Sequence, residues 1–144
     1  MAAVTWVEGA VAELFFSYSA KDRERVRPIF EALTALGFDV SWDQQVPAGS
    51  DWDSWIRRQL ADARCVVVFW SFNSVASDNI RHEATMAKEQ GKIVPVMLDE
   101  LRVGQFPMGL FNTQAARLIN WSGDGEDSEW RKLVAEVESK VMPV

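Results

Sequence analysis

The chain has 144 residues, enough for one domain with its own core, and its balance of 48% apolar to 25% charged residues is that of a folded globular protein. Twenty-one acidic residues against fifteen basic ones give a net charge of −6; with the basic residues scattered, this excludes the clustered Lys/Arg surface that DNA or RNA binding needs. One cysteine, Cys65, and one histidine, His82, exclude an intrachain disulfide, a cysteine-based zinc site and any metal centre built on several histidines.

Residues 1–11 read as an N-terminal extension, 12–141 as the domain, and 142–144 as a tail or the start of a linker. The N-terminus lacks a basic leader and carries Glu8 inside its apolar stretch, which argues against a signal peptide. No apolar run reaches the length of a membrane span, so a cytoplasmic location without membrane contact is the expectation.

Residues 13–17 (Glu-Leu-Phe-Phe-Ser) form a short apolar run ending in polar residues, as a buried strand does. From 22 to 36 the spacing of Val26, Ile29, Phe30, Leu33 and Leu36 predicts one apolar helix face, with Asp22 as N-cap and Gly37 as the stop. Residues 38–42 predict a second strand and 43–51 a loop broken by Pro47 and Gly49. A helix is predicted over 52–61, with Trp52, Trp55, Ile56, Gln59 and Leu60 along one side. The run 64–70 shows no polar alternation after Cys65, the mark of a central parallel strand buried on both faces; Cys65 within it reads as a buried, inert thiol.

A polar loop at 71–77 leads to a predicted helix at 78–90, ending at Gly91. Residues 93–98 predict a fourth strand, whose Pro95 implies a position near an edge or a bulge. The stretch 99–114 is irregular, 116–119 predicts a short last strand, and 124–127 an acidic turn. A final amphipathic helix over 128–141 turns Trp130, Leu133, Val134, Val137 and Val141 inward. This alternation predicts an α/β fold of the flavodoxin-like kind, an approximately five-stranded parallel sheet with helices on both faces. Ligands in such sheets bind beyond the carboxyl ends of the strands, which narrows the search to 17–21, 43–51, 71–77 and 99–114.

The first strand is followed by Phe16-Ser17-Tyr18-Ser19-Ala20-Lys21-Asp22, without the glycines that bring a backbone close to a pyrophosphate, so a Rossmann dehydrogenase is disfavoured. A receiver domain of the same topology would want paired acids after the first strand and an Asp after the third, where this chain has Ser17 and Ser71.

Three segments resemble the boxes of Toll/interleukin-1 receptor (TIR) domains in order and spacing. Leu14-Phe15-Phe16-Ser17-Tyr18-Ser19 followed by Asp22 is similar to the first box. Asp43 through Val46-Pro47-Ala48-Gly49 to Trp52 is similar to the loop after the second strand in its bacterial form. Trp70-Ser71 with Ser74, Ser77 and Glu83-Ala84 resembles the approach to the third helix. The resemblance implies one of two roles. Some TIR domains cleave NAD⁺ to nicotinamide and ADP-ribose or a cyclic variant, with NAD⁺ as substrate and no cofactor, in bacterial immunity or as effectors. Others are non-catalytic scaffolds that bind further TIR domains; a nucleoside transferase acting on related nucleotides is a weaker third role.

For the enzymatic role the resemblance assigns the essential acid to Glu83, and places the substrate among Phe16, Ser17, Tyr18, Asp43, Trp52, Ser71 and Asn79. Trp52 is the stacking candidate, Asp43 a partner for a ribose hydroxyl, and the backbone near Ser17 a partner for phosphate. Active members commonly carry Trp four residues before the glutamate, where this chain has Asn79; Trp70 and Phe72 are aromatics near it in sequence. Activity is expected to depend on self-association. By position alone Glu83 reads as an exposed acid near a helix start, favoured there by the helix dipole. His82 beside it reads as a surface residue, since adjacent helical residues point about 100° apart.

Overall fold

The computed structural model describes residues 13–42, 51–111 and 114–141, with 52 and 53 described by backbone alone. Five parallel strands, β1 (Leu14–Ser17), β2 (Val40–Ser41), β3 (Cys65–Trp70), β4 (Ile93–Met97) and β5 (Ala116–Arg117), make one sheet in the order β2-β1-β3-β4-β5. Between them run the helices α1 (Arg23–Ala35), α2 (Trp52–Asp62) and α3 (Asp78–Glu89), and α4 (Ser128–Val141) follows β5. The chain steps outward from β1 to β2, then back across β1 to β3. Its direction of winding therefore reverses between β1 and β3, the place where sheets of this architecture take their ligands.

Two apolar layers hold the sheet. On one face Val26, Ile29 and Leu33 of α1 and Trp130, Leu133, Val137 and Val141 of α4 pack on Leu14, Phe16, Val67, Phe69 and Val96. On the other, Ile56 and Leu60 of α2 and Ile80, Ala84 and Ala87 of α3 pack on Phe15, Val66, Val68 and Trp70. β3 is buried along its whole length, as its unbroken apolar run predicts. Fully burying one such Val, Leu or Phe side chain contributes about 1.5–3 kcal/mol, so the two layers together fix which side of each strand faces which helix pair.

Local chemistry sets the helix phases. Ser77 caps α3 by accepting from the Ile80 N–H at 3.3 Å, and Asp51 caps α2 by accepting from the Ser54 N–H at 3.3 Å. Gly37 (φ +99°) and Gly91 (φ +71°) end α1 and α3 in the left-handed region, as the sequence predicts.

Four local expectations are corrected. Asp22 stands at the N-cap of α1 without a side-chain cap bond; its carboxylate is buried instead. The second strand shrinks from 38–42 to Val40–Ser41, because Trp42 leaves the ladder to pack beside α1. There it stacks on Phe30 at 4.6 Å and lies under the Arg23 guanidinium, 4.1 Å from its ring centroid. The last strand likewise shortens to Ala116–Arg117. Pro95 sits on an interior strand, between β3 and β5. Even-numbered groups of this strand bond to β3 (Leu98 N–H to Trp70 O, 2.8 Å) and odd-numbered ones to β5 (Leu118 N–H to Met97 O, 2.9 Å). The missing N–H of Pro95 thus falls on the β5 side, just before β5 begins pairing at Val96.

Candidate functional site

α3 turns Ile80, Glu83, Ala84 and Ala87 toward the sheet, a spacing of three, one and three that is a single helix stripe. Glu83 is the acid in that stripe, 6% exposed. It is not the exposed first-turn residue that its position alone suggests. Burial pushes its carboxyl up to about 7, while the nearby Ser17 hydroxyl draws it partly back. Ser17 closes β1 and is fully buried; by strand alternation it shares the α2–α3 face with Phe15. The approach of the two groups stops short of a formed hydrogen bond, and neither Ser17 Oγ nor Glu83 Oε1 has a partner. Trp70, the last residue of β3, faces the same side. Its indole N–H is also unpartnered and its ring meets Phe106 edge-on at 5.8 Å.

Four other residues assigned to the site lie elsewhere. Phe16 points to the α1–α4 face, fully buried and edge-on to Phe69 at 4.8 Å, because strand alternation sends it opposite to Ser17. Tyr18 is held on the α1 side. Its hydroxyl donates to Trp42 O and accepts from Arg23 Nη1 at 3.2 Å. Ser71 is consumed by structure: its Oγ donates to the Asp22 carboxylate and accepts from the Ser74 N–H at 3.0 Å. Asn79 is exposed on the first turn of α3, where it offers no stacking surface. Asp43 and the Trp52 side chain lie outside the described residues; the backbone of Trp52 begins α2. Of the assigned set, Ser17 and Glu83 come together.

Sequence reasoning missed the role of Asp22. Its buried carboxylate accepts from Ser71 Oγ, from Asn73 Nδ2 at 2.8 Å and from Arg25 Nη1 at 3.4 Å. Arg25 in turn donates to Leu98 O and pairs with Asp99 at 2.8 Å, and Asp99 accepts from the Phe72 N–H at 2.9 Å. This network fastens the loops after β3 and β4 to the start of α1. A usable signal was present for both acids. Asp22 is in phase with Val26, Ile29 and Leu33, and Glu83 with Ile80 and Ala87, so each belongs to a buried helix face.

Two grooves between described residues lie away from Glu83. One of about 560 Å³ runs along the outer side of α3, lined by Arg57, Arg81, His82, Thr85, Met86, Glu89 and Gln90; His82 is exposed there, as expected of a surface residue. Another of about 230 Å³ lies between α1 and the ends of β4 and β5. Among the described residues no group of three or more His, Cys, Asp or Glu could hold a metal ion, and no helix is long and apolar enough to cross a membrane. What the arrangement offers chemically is one desolvated carboxyl with a free oxygen, a hydroxyl beside it, and an indole donor on the same sheet face.

The family model described as "TIR domain" matches residues 14–134. Among solved structures, the TIR domain of the Toll-related receptor TRR-2 from Hydra magnipapillata superposes with a TM-score of 0.73 at 17% identity, covering 89% of this chain and 99% of that one. A TIR-STING receptor from C. gigas, in complex with 2′,3′-cGAMP, gives 0.68 at 19% identity over 97% of this chain and 42% of that one. The TIR domains of the activated Roq1 resistosome give 0.53 at 23% identity, over 61% and 59% of the respective chains. At these identities the structural likenesses speak to the fold. No curated protein matches the sequence.

Proposed function

The chain belongs to the TIR-domain family, and from that premise we propose that it cleaves NAD⁺ at the nicotinamide–ribose bond, with Glu83 as the essential acid. The products are nicotinamide and ADP-ribose or a cyclic variant. The observation that carries this reading is the Glu83 carboxyl, buried with one oxygen unpartnered beside an equally unpartnered Ser17 hydroxyl. Leaving such groups unsatisfied costs a fold about 1–3 kcal/mol each, a cost that recurs at binding and catalytic sites.

The chemistry needs one carboxylate. When the C1′–N bond breaks, its electron pair moves onto the ring nitrogen, and the cationic pyridinium departs as neutral nicotinamide without a general acid. The ribose is left as an oxocarbenium-like species, which ionised Glu83 stabilises through charge or by accepting from ribose hydroxyls. Water then adds at C1′ and releases a proton. Ionisation is required, so the raised carboxyl of Glu83 makes the free enzyme respond to pH near 7.

Since Glu83 is 6% exposed, substrate access depends on a rearrangement, and self-association of TIR domains is the event we assign to it. A role in immunity or as an effector, in a bacterial cytoplasm, accords with the box style of residues 43–52. The test is nicotinamide release from NAD⁺ by the wild-type chain and by Glu83→Ala, each with and without a clustering agent. Release by the clustered wild type and none by the variant is expected; intact NAD⁺ in every sample would remove the proposal.

A second reading, a non-catalytic scaffold for homotypic association, is favoured by one observation. Asn79 stands exposed where active relatives commonly carry Trp. Self-association without NAD⁺ loss would establish it.

A further inference from the structure

Resting on the NAD⁺-cleavage reading and deepening it, we propose that the indole N–H of Trp70 is a substrate-binding donor of the Glu83 site, holding a ribose hydroxyl that in turn donates to the Glu83 carboxylate. Among the described residues, the buried side-chain polar atoms without a hydrogen-bond partner are Ser17 Oγ, Trp70 Nε1 and Glu83 Oε1. They are not scattered. Ser17 ends β1, Trp70 ends β3, the two strands are hydrogen-bonded neighbours, and both side chains face the helix layer from which Glu83 descends. All three therefore sit at the carboxyl end of the sheet, at the reversal of winding, where this architecture takes its ligands.

Their chemistry is complementary rather than redundant. An indole N–H only donates, a carboxylate only accepts, and a serine hydroxyl does both. A sugar hydroxyl also does both, so it can accept from Trp70 while donating to Glu83. A buried indole ordinarily satisfies its N–H within the protein; Trp70 is fully buried and does not. The ring of Phe106, edge-on at 5.8 Å, is the other group that this N–H can address.

The test uses the full chain labelled with ¹⁵N and held self-associated by the clustering agent, its spectra recorded in the solid state, and an uncleavable NAD⁺ analogue whose nicotinamide-ribose ring oxygen is replaced by carbon. The Trp70 indole N–H resonance, assigned by through-bond experiments, is expected to move downfield on addition of the analogue, more than the other six indoles. A resonance that stays in place overturns the proposal, as does one that moves in ligand-free Phe106→Leu and ignores the analogue, which would assign the N–H to the phenyl ring. In turnover, Trp70→Phe is expected to raise KM for NAD⁺ about 2–10-fold, the loss of one hydrogen bond, with kcat changed less; equal KM overturns it. Failure of the two readings is distinguishable. Nicotinamide release with an unmoved Trp70 resonance removes the Trp70 assignment alone. A responding resonance in a protein that leaves NAD⁺ intact keeps the Trp70 site and removes cleavage.

Discussion

Glu83→Gln tests the burial of the acid through stability alone, without any substrate. The folded carboxyl titrates at about 7 against an ordinary 4.5, chiefly because burial penalises its charged form. Below pH 4.5 it is protonated in both folded and unfolded chains and costs nothing. As pH rises through 7 the folded protein must bury a charge that the unfolded chain carries in water, so stability is lost. At about 1.4 kcal/mol per pKa unit the full gap is worth about 3 kcal/mol, of which about 2–3 kcal/mol falls between pH 5 and pH 8. Gln has nearly the same shape and does not titrate. Urea unfolding of both proteins at pH 5 and pH 8 gives the wild-type-minus-variant difference, in which every other titrating group cancels. Wild type should lose about 2–3 kcal/mol relative to the variant on going to pH 8. A difference that stays constant to within about 0.5 kcal/mol would refute the reasoning, because it would mean that the acid is solvated or paired.

Two further outcomes follow from buried groups. Asp22→Ala strips the acceptor from Ser71, Asn73 and Arg25 and should lower unfolding free energy by about 2–4 kcal/mol, read from the same urea curves; a loss under about 0.5 kcal/mol would mean that solvent already reaches that carboxylate. Cys65, fully buried with its thiol pushed up to about 12 by desolvation, should resist a thiol reagent in the native state and react on unfolding. Rapid labelling of the native chain would contradict its placement.

The fold was legible because its signals repeat over many residues. The unbroken run of β3 and the 3.6-residue stripes of α1, α3 and α4 each use several side chains to say the same thing. Errors came where a single residue decides. Trp42 reads as strand by composition, yet leaves the ladder because Phe30 and Arg23 on α1 offer its ring a better surface. Pro95 reads as an edge signal, and the feature it reports is one unpaired side of an interior strand.

The site was less legible, for a related reason. Box resemblance names neighbours in sequence, whereas strand alternation separates them: Phe16 and Ser17 are adjacent and face opposite layers. Ser71 likewise sits beside Trp70 in sequence and is spent on Asp22. The acids themselves were readable by phase. A charged residue in step with an apolar helix stripe must either find partners, as Asp22 does, or remain unsatisfied at a cost, as Glu83 does. Trp70, by contrast, gives no sign in sequence that its N–H lacks an acceptor.

The most direct measurement is the pH dependence of kcat/KM for NAD⁺ cleavage by the clustered wild-type chain, from pH 5 to pH 9, with nicotinamide as the product followed. An ionised Glu83 as the working group predicts a rate that climbs about tenfold per pH unit and levels off near pH 7. A profile that is flat or falls with rising pH, or no nicotinamide at any pH, would contradict the account.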